Sequence, residues 1–124
     1  MNVENMALHA FRQYGDQVLR LACCYTADMR EAEEITASVF QMLMEQDPAE
    51  IQGFLLQNTA VQGRGLHQHG VLAMMPEDCA AVLYLHDYEG MEPERIGSLL
   101  GERTQYIIQL LEQGRELLGK EGSV

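Results

Sequence analysis

The spacing of apolar residues along the chain predicts helices and no strands, because no segment alternates between apolar and polar positions over a useful length. In the first 25 residues, apolar side chains recur three and four positions apart, which marks one face of a helix. That predicted inward stripe is Phe11, Tyr14, Val18, Leu21 and Tyr25. Thr26 or Asp28 then caps a second helix, whose first turn is rich in acids. Its predicted buried face is Ala32, Ile35, Val39 and Met42 or Leu43.

The middle of the chain predicts a third helix and then a linker. Asp47 before Pro48 is typical of a cap followed by proline at the first helical position, so the helix is expected over 48–60. The segment "VQGRGLHQHG" has three glycines in ten residues and predicts a linker. We therefore divide the chain into a unit over 1–61, a linker over 62–75 and a unit over 76–124. Compact packing of the two units is expected to bury the outer face of the last helix, whereas a splayed arrangement would leave it exposed.

In the C-terminal unit, Pro76 is predicted to start one helix, and Glu92 with Pro93 a second short one. Gly101 ends the second, in the left-handed conformation that glycine tolerates best. Thr104 is expected to cap a long last helix. Its predicted inward stripe is Ile107, Leu111, Gly114 and Leu118, joined by Leu110 and Leu117, and its outward face is Gln105, Ile108, Gln109, Glu112, Gln113 and Glu116. The predicted fold class is all-α, with two small helical units.

Charge restricts the classes of partner. The chain has 19 acids and 8 bases, a net charge of -11, which opposes non-specific binding to nucleic acid. Residues 1–75 carry nine acids and four bases, and residues 76–124 carry ten acids and four bases, so neither unit is a basic module. The N-terminus lacks the pattern of a signal peptide, and no apolar run is long enough to span a bilayer. We therefore expect a cytoplasmic protein with reduced cysteines and no membrane contact.

The chemistry-bearing side chains do not form a recognisable reactive site. His67 and His69 are the best metal candidates, but a metal centre needs a third ligand that the sequence does not place, so no metal is predicted. His86, Asp87 and Glu89 cluster near a predicted helix end, where a histidine interacts favourably with the helix dipole. No phosphate-binding glycine loop or nucleophile motif occurs. We expect neither a catalytic residue nor a cofactor, and not an enzyme.

Two segments resemble a known family. The first is "YGDQVLRLACCYTADMREAEEITASVFQML", followed by "FLLQNTA". The second is "MPEDCAAVLYLHDYEGMEPERIGSLLGERTQYIIQLLEQGRELL". In this order they resemble the second and fourth conserved regions of the small bacterial RNA polymerase sigma factors of the extracytoplasmic-function type, in shortened and degenerate form. The resemblance covers most of the chain.

The resemblance implies a transcription regulator that binds RNA polymerase and helps promoter recognition. It implies polymerase binding by the second helix, at Ala32, Glu33, Glu34, Ile35 and Phe40. It implies a helix-turn-helix that meets promoter DNA through Arg103, Thr104, Gln105, Ile108 and Gln109. Glutamine can bond adenine bidentately, so Gln105 and Gln109 are the candidate base readers, and Arg103 is the best-placed phosphate contact.

The outer face of the last helix supports an alternative. Where the family usually has cations, this chain has Ile108, Leu110 and Gln113. In addition, Glu112 and Glu116 would meet phosphates with like charge. The alternative is a degenerate relative that no longer binds DNA and acts through protein contacts. Its partner would be polymerase, an anti-sigma or partner sigma protein, or a second copy of the chain.

Overall fold

A computed structural model of the chain describes residues 3–66 and 71–122, with side chains for 5–66 and 72–119, so His67 and His69 lie outside the described residues. Within these ranges the regular structure is helical, which confirms the all-α prediction. The helices are α1 (Val3–Cys23), α2 (Met29–Glu45), α3 (Ile51–Gly63), α4 (Val71–Met74), α5 (Cys79–Leu83), α6 (Pro93–Leu100) and α7 (Thr104–Gly122), with a π-helical segment Tyr84–Tyr88 directly after α5. None of the described helices is long and apolar enough to cross a membrane.

Local capping signals explain some helix boundaries. Of the two predicted caps, Thr26 and Asp28, it is Asp28 that caps α2, and its carboxylate accepts a hydrogen bond from the Arg30 amide at 2.9 Å. The prediction for α3 is wrong at its start, because the cap is Glu50, whose carboxylate accepts from the Gly53 amide, and not Asp47. Likewise α5 does not start at Pro76; it starts after Asp78, whose backbone is left-handed with φ of 73°.

The first three helices, which we call the N-terminal set, pack around a shared core. Val18 and Leu21 of α1 meet Val39 and Leu43 of α2 and Leu55 of α3, and all five are fully buried. Each large aliphatic side chain buried in this way contributes roughly 1.5–3 kcal/mol. Other predicted inward residues are also buried, namely Tyr25, Ala32 and Ile35.

Phe11 departs from the predicted stripe of α1. Its side chain is 51% exposed, and its ring packs edge-on against Phe40 with centroids 5.1 Å apart. Phe11 therefore covers the edge of the core between α1 and α2 instead of entering it. Helical periodicity gives the angular position of a side chain, but it does not show how far the neighbouring helix extends over it.

Helices α4 to α7, which we call the C-terminal set, bury α7 against α5 and α6. Ile107, Leu110 and Leu111 are buried, and Gly114 lets α7 approach closely, since a β-carbon there would stand 2.6 Å from a methyl group of Leu83. The prediction that Leu118 is buried is wrong. It lies on the same side of α7 but is 44% exposed, at the rim of an open groove that Leu72 and Tyr88 also line.

The two sets are joined by α3 packing on α6 and by a partly buried group of polar side chains, which we call the Asp78 cluster. Tyr25 donates to Asp78 at 2.5 Å, and Arg64 donates to Asp78 at 3.0 Å and to the Leu100 carbonyl at 2.7 Å. Burial and then the Asp78 charge raise the pKa of Tyr25 well above its usual range, so its hydroxyl stays protonated and donates.

This packing leaves the outer face of α7 exposed. The contacts between the sets lie elsewhere, in the packing of α3 on α6, the Asp78 cluster and a hydrogen bond from Gln17 of α1 to Glu89 at 2.8 Å. The expectation that compact packing buries that face is therefore wrong. The boundaries drawn at 1–61, 62–75 and 76–124 stay predictions, and α3 itself continues to Gly63.

Candidate nucleic-acid interface

The helices α6 and α7 are joined by a tight turn over residues 101–103. Gly101 is left-handed, with φ of 72° as predicted, and the next amide, of Glu102, donates back to the Gly97 carbonyl at 2.9 Å. A β-carbon at Gly97 would stand 2.7 Å from the Glu102 carbonyl oxygen, so glycine lets the turn fold directly onto α6. This order of a short helix, a turn with left-handed glycine and a longer helix is similar to that of a helix-turn-helix unit, and we use that name for residues 93–122.

The first two turns of α7 bring the predicted DNA-binding residues together. Arg103, Gln105, Ile108 and Gln109 are exposed and border one open groove of about 470 Å³. Gln105 and Gln109 are four residues apart, so they lie one above the other, roughly 6 Å apart along the helix axis. Thr104 is half-buried and is the first residue of α7, so it does not stand outside the helix as the predicted cap.

Two further residues border this groove, and only one of them was placed on the outer face from sequence. Glu112 closes its far end, as its predicted outward position requires. Tyr106 lies beside the groove with 37% of its side chain exposed. Its spacing of three from Arg103 and from Gln109 is a signal that could have located it. Leu110 is fully buried, so it does not replace a surface cation.

Charge is distributed unevenly along the exposed face of α7. The turn before α7 carries Glu102 and Arg103, and the first two turns of α7 carry two glutamines and Ile108, whereas the carboxylates of α7 itself follow from Glu112 onward. Among the described carboxylates, none lies within ion-pair distance of Arg103. The outer face is therefore not a continuous acidic surface, and its N-terminal half combines one cation with hydrogen-bonding and apolar groups.

The other candidate phosphate contacts of the C-terminal set are occupied. Arg115 pairs with Asp87 at 2.7 Å, and Arg95 pairs with Glu50 at 2.5 Å. Hydrogen bonds from His86 and Arg115 lower the pKa of Asp87, so that carboxylate stays ionised and retains Arg115. The side chain of Lys120 lies outside the described residues.

The predicted polymerase-binding residues of α2 fall on two different faces. Ala32, Ile35 and Phe40 are buried in the core of the N-terminal set, because they form the inward stripe of α2. Their side chains are therefore not on the surface that a partner could touch in this structure. Glu33 and Glu34 are exposed, and Glu33 borders an open groove between α1 and α2 of about 720 Å³. Phe11 and Ala37 also line this groove, although the sequence did not single them out as contacts.

The thiols offer little chemistry at neutral pH. Burial raises the pKa of Cys24 to about 12, and it also raises the pKa values of Cys23 and Cys79. The described residues contain no group of three or more potential metal ligands from histidine, cysteine and acidic side chains. Among the described surfaces, the outer face of α7 and the groove between α1 and α2 are the two that carry exposed residues predicted as contacts.

Comparisons with protein-family models, with curated proteins and with solved structures found no match for this chain.

Proposed function

We propose that this protein is a sigma-factor-like transcription regulator, in which the first two turns of α7 contact promoter DNA and the exposed residues of α2 contact RNA polymerase. The observation that carries the proposal is the groove on α7. Its Arg103, Gln105 and Gln109 are exposed side by side, and Glu112 stands only at its end. In a helix-turn-helix, the N-terminal residues of the second helix are the ones that reach base edges in the major groove.

The chemistry of these side chains suits base recognition more than strong phosphate binding. Gln105 and Gln109 can each bond the N6 and N7 atoms of an adenine, and Ile108 between them can contact a thymine methyl group. Arg103 supplies one charge-assisted contact to phosphate. We therefore expect modest affinity and a preference for A·T base pairs.

The proposed contact with polymerase uses the exposed edge of α2. Glu33 and Glu34 provide negative charge beside the apolar groove that Phe11 and Ala37 line. Charge reversal there, as Glu33→Lys with Glu34→Lys, is expected to abolish retention of the protein on purified core polymerase, while the same change at Glu45 is not. Glu45 is the matched control because it is also exposed, at the last position of α2.

Binding to duplex DNA, measured by fluorescence anisotropy over a range of salt, tests the DNA contact. We expect measurable binding at low salt that weakens as salt rises. Arg103→Ala should weaken binding to all sequences and reduce the salt dependence. Gln105→Ala and Gln109→Ala should instead reduce the preference for A·T base pairs. Gln113→Ala, on the same helix but outside the groove, is the control.

A second function is favoured by one observation, the apolar side chain of Ile108, which is 44% exposed and lines the groove together with Tyr106. The same groove could bind another protein, whether polymerase, a partner sigma or anti-sigma protein, or a second copy. If no duplex binds even at low salt, and Ile108→Ala abolishes co-purification with polymerase or self-association, this second function replaces the first.

A further inference from the structure

One arginine of the helix-turn-helix is engaged by the N-terminal set. Arg95 lies on α6 and donates to Glu50 of α3 at 2.5 Å. The two residues are 45 positions apart in sequence, and the pair lies at the surface, with 40% of the Arg95 side chain and 54% of the Glu50 side chain exposed. The carboxylate of Glu50 has two functions, because its other oxygen accepts from the Gly53 amide and caps α3.

The packing of α3 on α6 holds Glu50 next to Arg95. Gly53 faces α6 so closely that a β-carbon there would stand 3.3 Å from a methyl group of Leu99. At the same end of α6, Arg64 joins the Leu100 carbonyl to Asp78. The exposed pair is thus placed by contacts at the C-terminal end of α6, and it does not depend on its own modest attraction.

We infer that Glu50 competes with DNA phosphate for Arg95, so that the N-terminal set lowers the DNA affinity of the helix-turn-helix. This inference rests on the proposed function. In helix-turn-helix proteins the first helix crosses the DNA backbone, which is where a cation on α6 would meet phosphate. With α3 in place, a phosphate must displace the Glu50 carboxylate before it can bind Arg95.

The variant Glu50→Gln tests the competition in the full-length chain. A glutamine keeps a carbonyl oxygen that can cap α3 at Gly53, but it no longer offers a carboxylate to Arg95. Exposed ion pairs of this kind are worth up to about 1 kcal/mol, which corresponds to an affinity gain of about two- to fivefold. The slope of log affinity against log salt should also become steeper by about 1, since one more cation contacts phosphate.

The control is Glu94→Gln, which removes one negative charge from an exposed residue of α6, the helix that carries Arg95. A general effect of net charge would appear in both variants, whereas relief of the competition appears in Glu50→Gln alone. The double variant Glu50→Gln with Arg95→Gln should lose the gain, because the cation that was released is absent. Circular dichroism and thermal unfolding check that each variant keeps the fold.

Each outcome decides the matter. Anisotropy with an A·T-rich duplex that shows a larger gain for Glu50→Gln than for Glu94→Gln, and its loss in the double variant, supports the inference. Equal gains, or a gain that survives Arg95→Gln, overturn the inference and leave the proposed DNA contact intact. If none of the variants binds DNA at low salt, the proposed DNA contact and the inference both fail.

Discussion

Replacing Gly97 with alanine tests how closely the turn of the helix-turn-helix is packed on α6. The added β-carbon would stand 2.7 Å from the Glu102 carbonyl oxygen and 3.6 Å from Cγ1 of Ile107. The closer neighbour is a backbone atom, so it cannot rotate away as the end of a long side chain can. It belongs to the same residue whose amide donates to the Gly97 carbonyl. The methyl group must therefore push the turn away from α6.

Two opposing effects set the magnitude. Overpacking of this kind costs about 1–3 kcal/mol. Alanine in place of glycine within a helix contributes about 1 kcal/mol in the stabilising direction. The expected net effect is a destabilisation of up to about 2 kcal/mol. A loss of 1 kcal/mol in a domain of this size lowers the Tm by about 4 °C.

Urea unfolding followed by circular dichroism measures this change, with Gly119→Ala as the control. Gly119 is an exposed residue of α7, and a β-carbon there would have no neighbouring atom within 4 Å. The control should gain up to about 1 kcal/mol from helix propensity alone. The two variants are therefore expected to differ in sign. If Gly97→Ala is stabilised as much as Gly119→Ala, the turn is not packed on α6 as described.

Three further predictions concern single side chains. If Ile108 meets a thymine methyl group, replacing thymine by uracil in a bound duplex should weaken wild-type binding by about fourfold, and should not affect Ile108→Ala; sensitivity of both proteins would place the methyl contact elsewhere. Because burial raises the pKa of Cys24 to about 12, its thiol should react with iodoacetamide far more slowly in the native protein than in urea, as mass spectrometry of the digested protein can measure. Because hydrogen bonds from His86 and Arg115 lower the pKa of Asp87, that carboxylate stabilises the fold fully above its unfolded pKa of about 3.8 and less as the pH falls through its lower folded pKa. The stability difference between wild type and Asp87→Asn should accordingly shrink below about pH 4, and an unchanged difference would contradict this reasoning.

Local signals in the sequence predicted much of the fold. Asp28 starts α2 and Gly101 ends α6, in each case with a hydrogen bond between residues no more than five positions apart. Such signals can be recognised from the neighbouring residues in the sequence. Pro48 misled the prediction of α3, because an equally local partner, the Glu50 carboxylate, was available and caps the helix. Phe11 and Leu118 have the correct angular position on their helices but remain exposed. Their exposure depends on where the neighbouring helices end, and the periodicity of apolar residues gives no information on that.

The sequence predicted which side chains of the candidate site face outward, but it did not predict which of its cations are held in ion pairs. Helical periodicity placed Gln105, Ile108 and Gln109 outward, and the structure confirms that these side chains are exposed. The ion pair of Arg95 could not be predicted in the same way. Its partner, Glu50, is 45 positions away in sequence and lies next to it because α3 packs on α6. A count of arginines in the sequence therefore overstates the cations that are available to phosphate.

The arrangement of charges also indicates how such a site could act. With Arg95 and Arg115 each paired to a carboxylate, Arg103 is the described cation of the C-terminal set outside an ion pair. A single phosphate contact gives a salt slope of only about -0.9 and little affinity. We therefore expect the helix-turn-helix to read promoter DNA usefully only when a second attachment raises its local concentration. Docking of α2 on polymerase would provide that attachment, since a tethered site experiences an effective ligand concentration in the millimolar range. In that arrangement the net charge of -11 suppresses binding away from polymerase and leaves a weak, base-selective contact to act at the promoter.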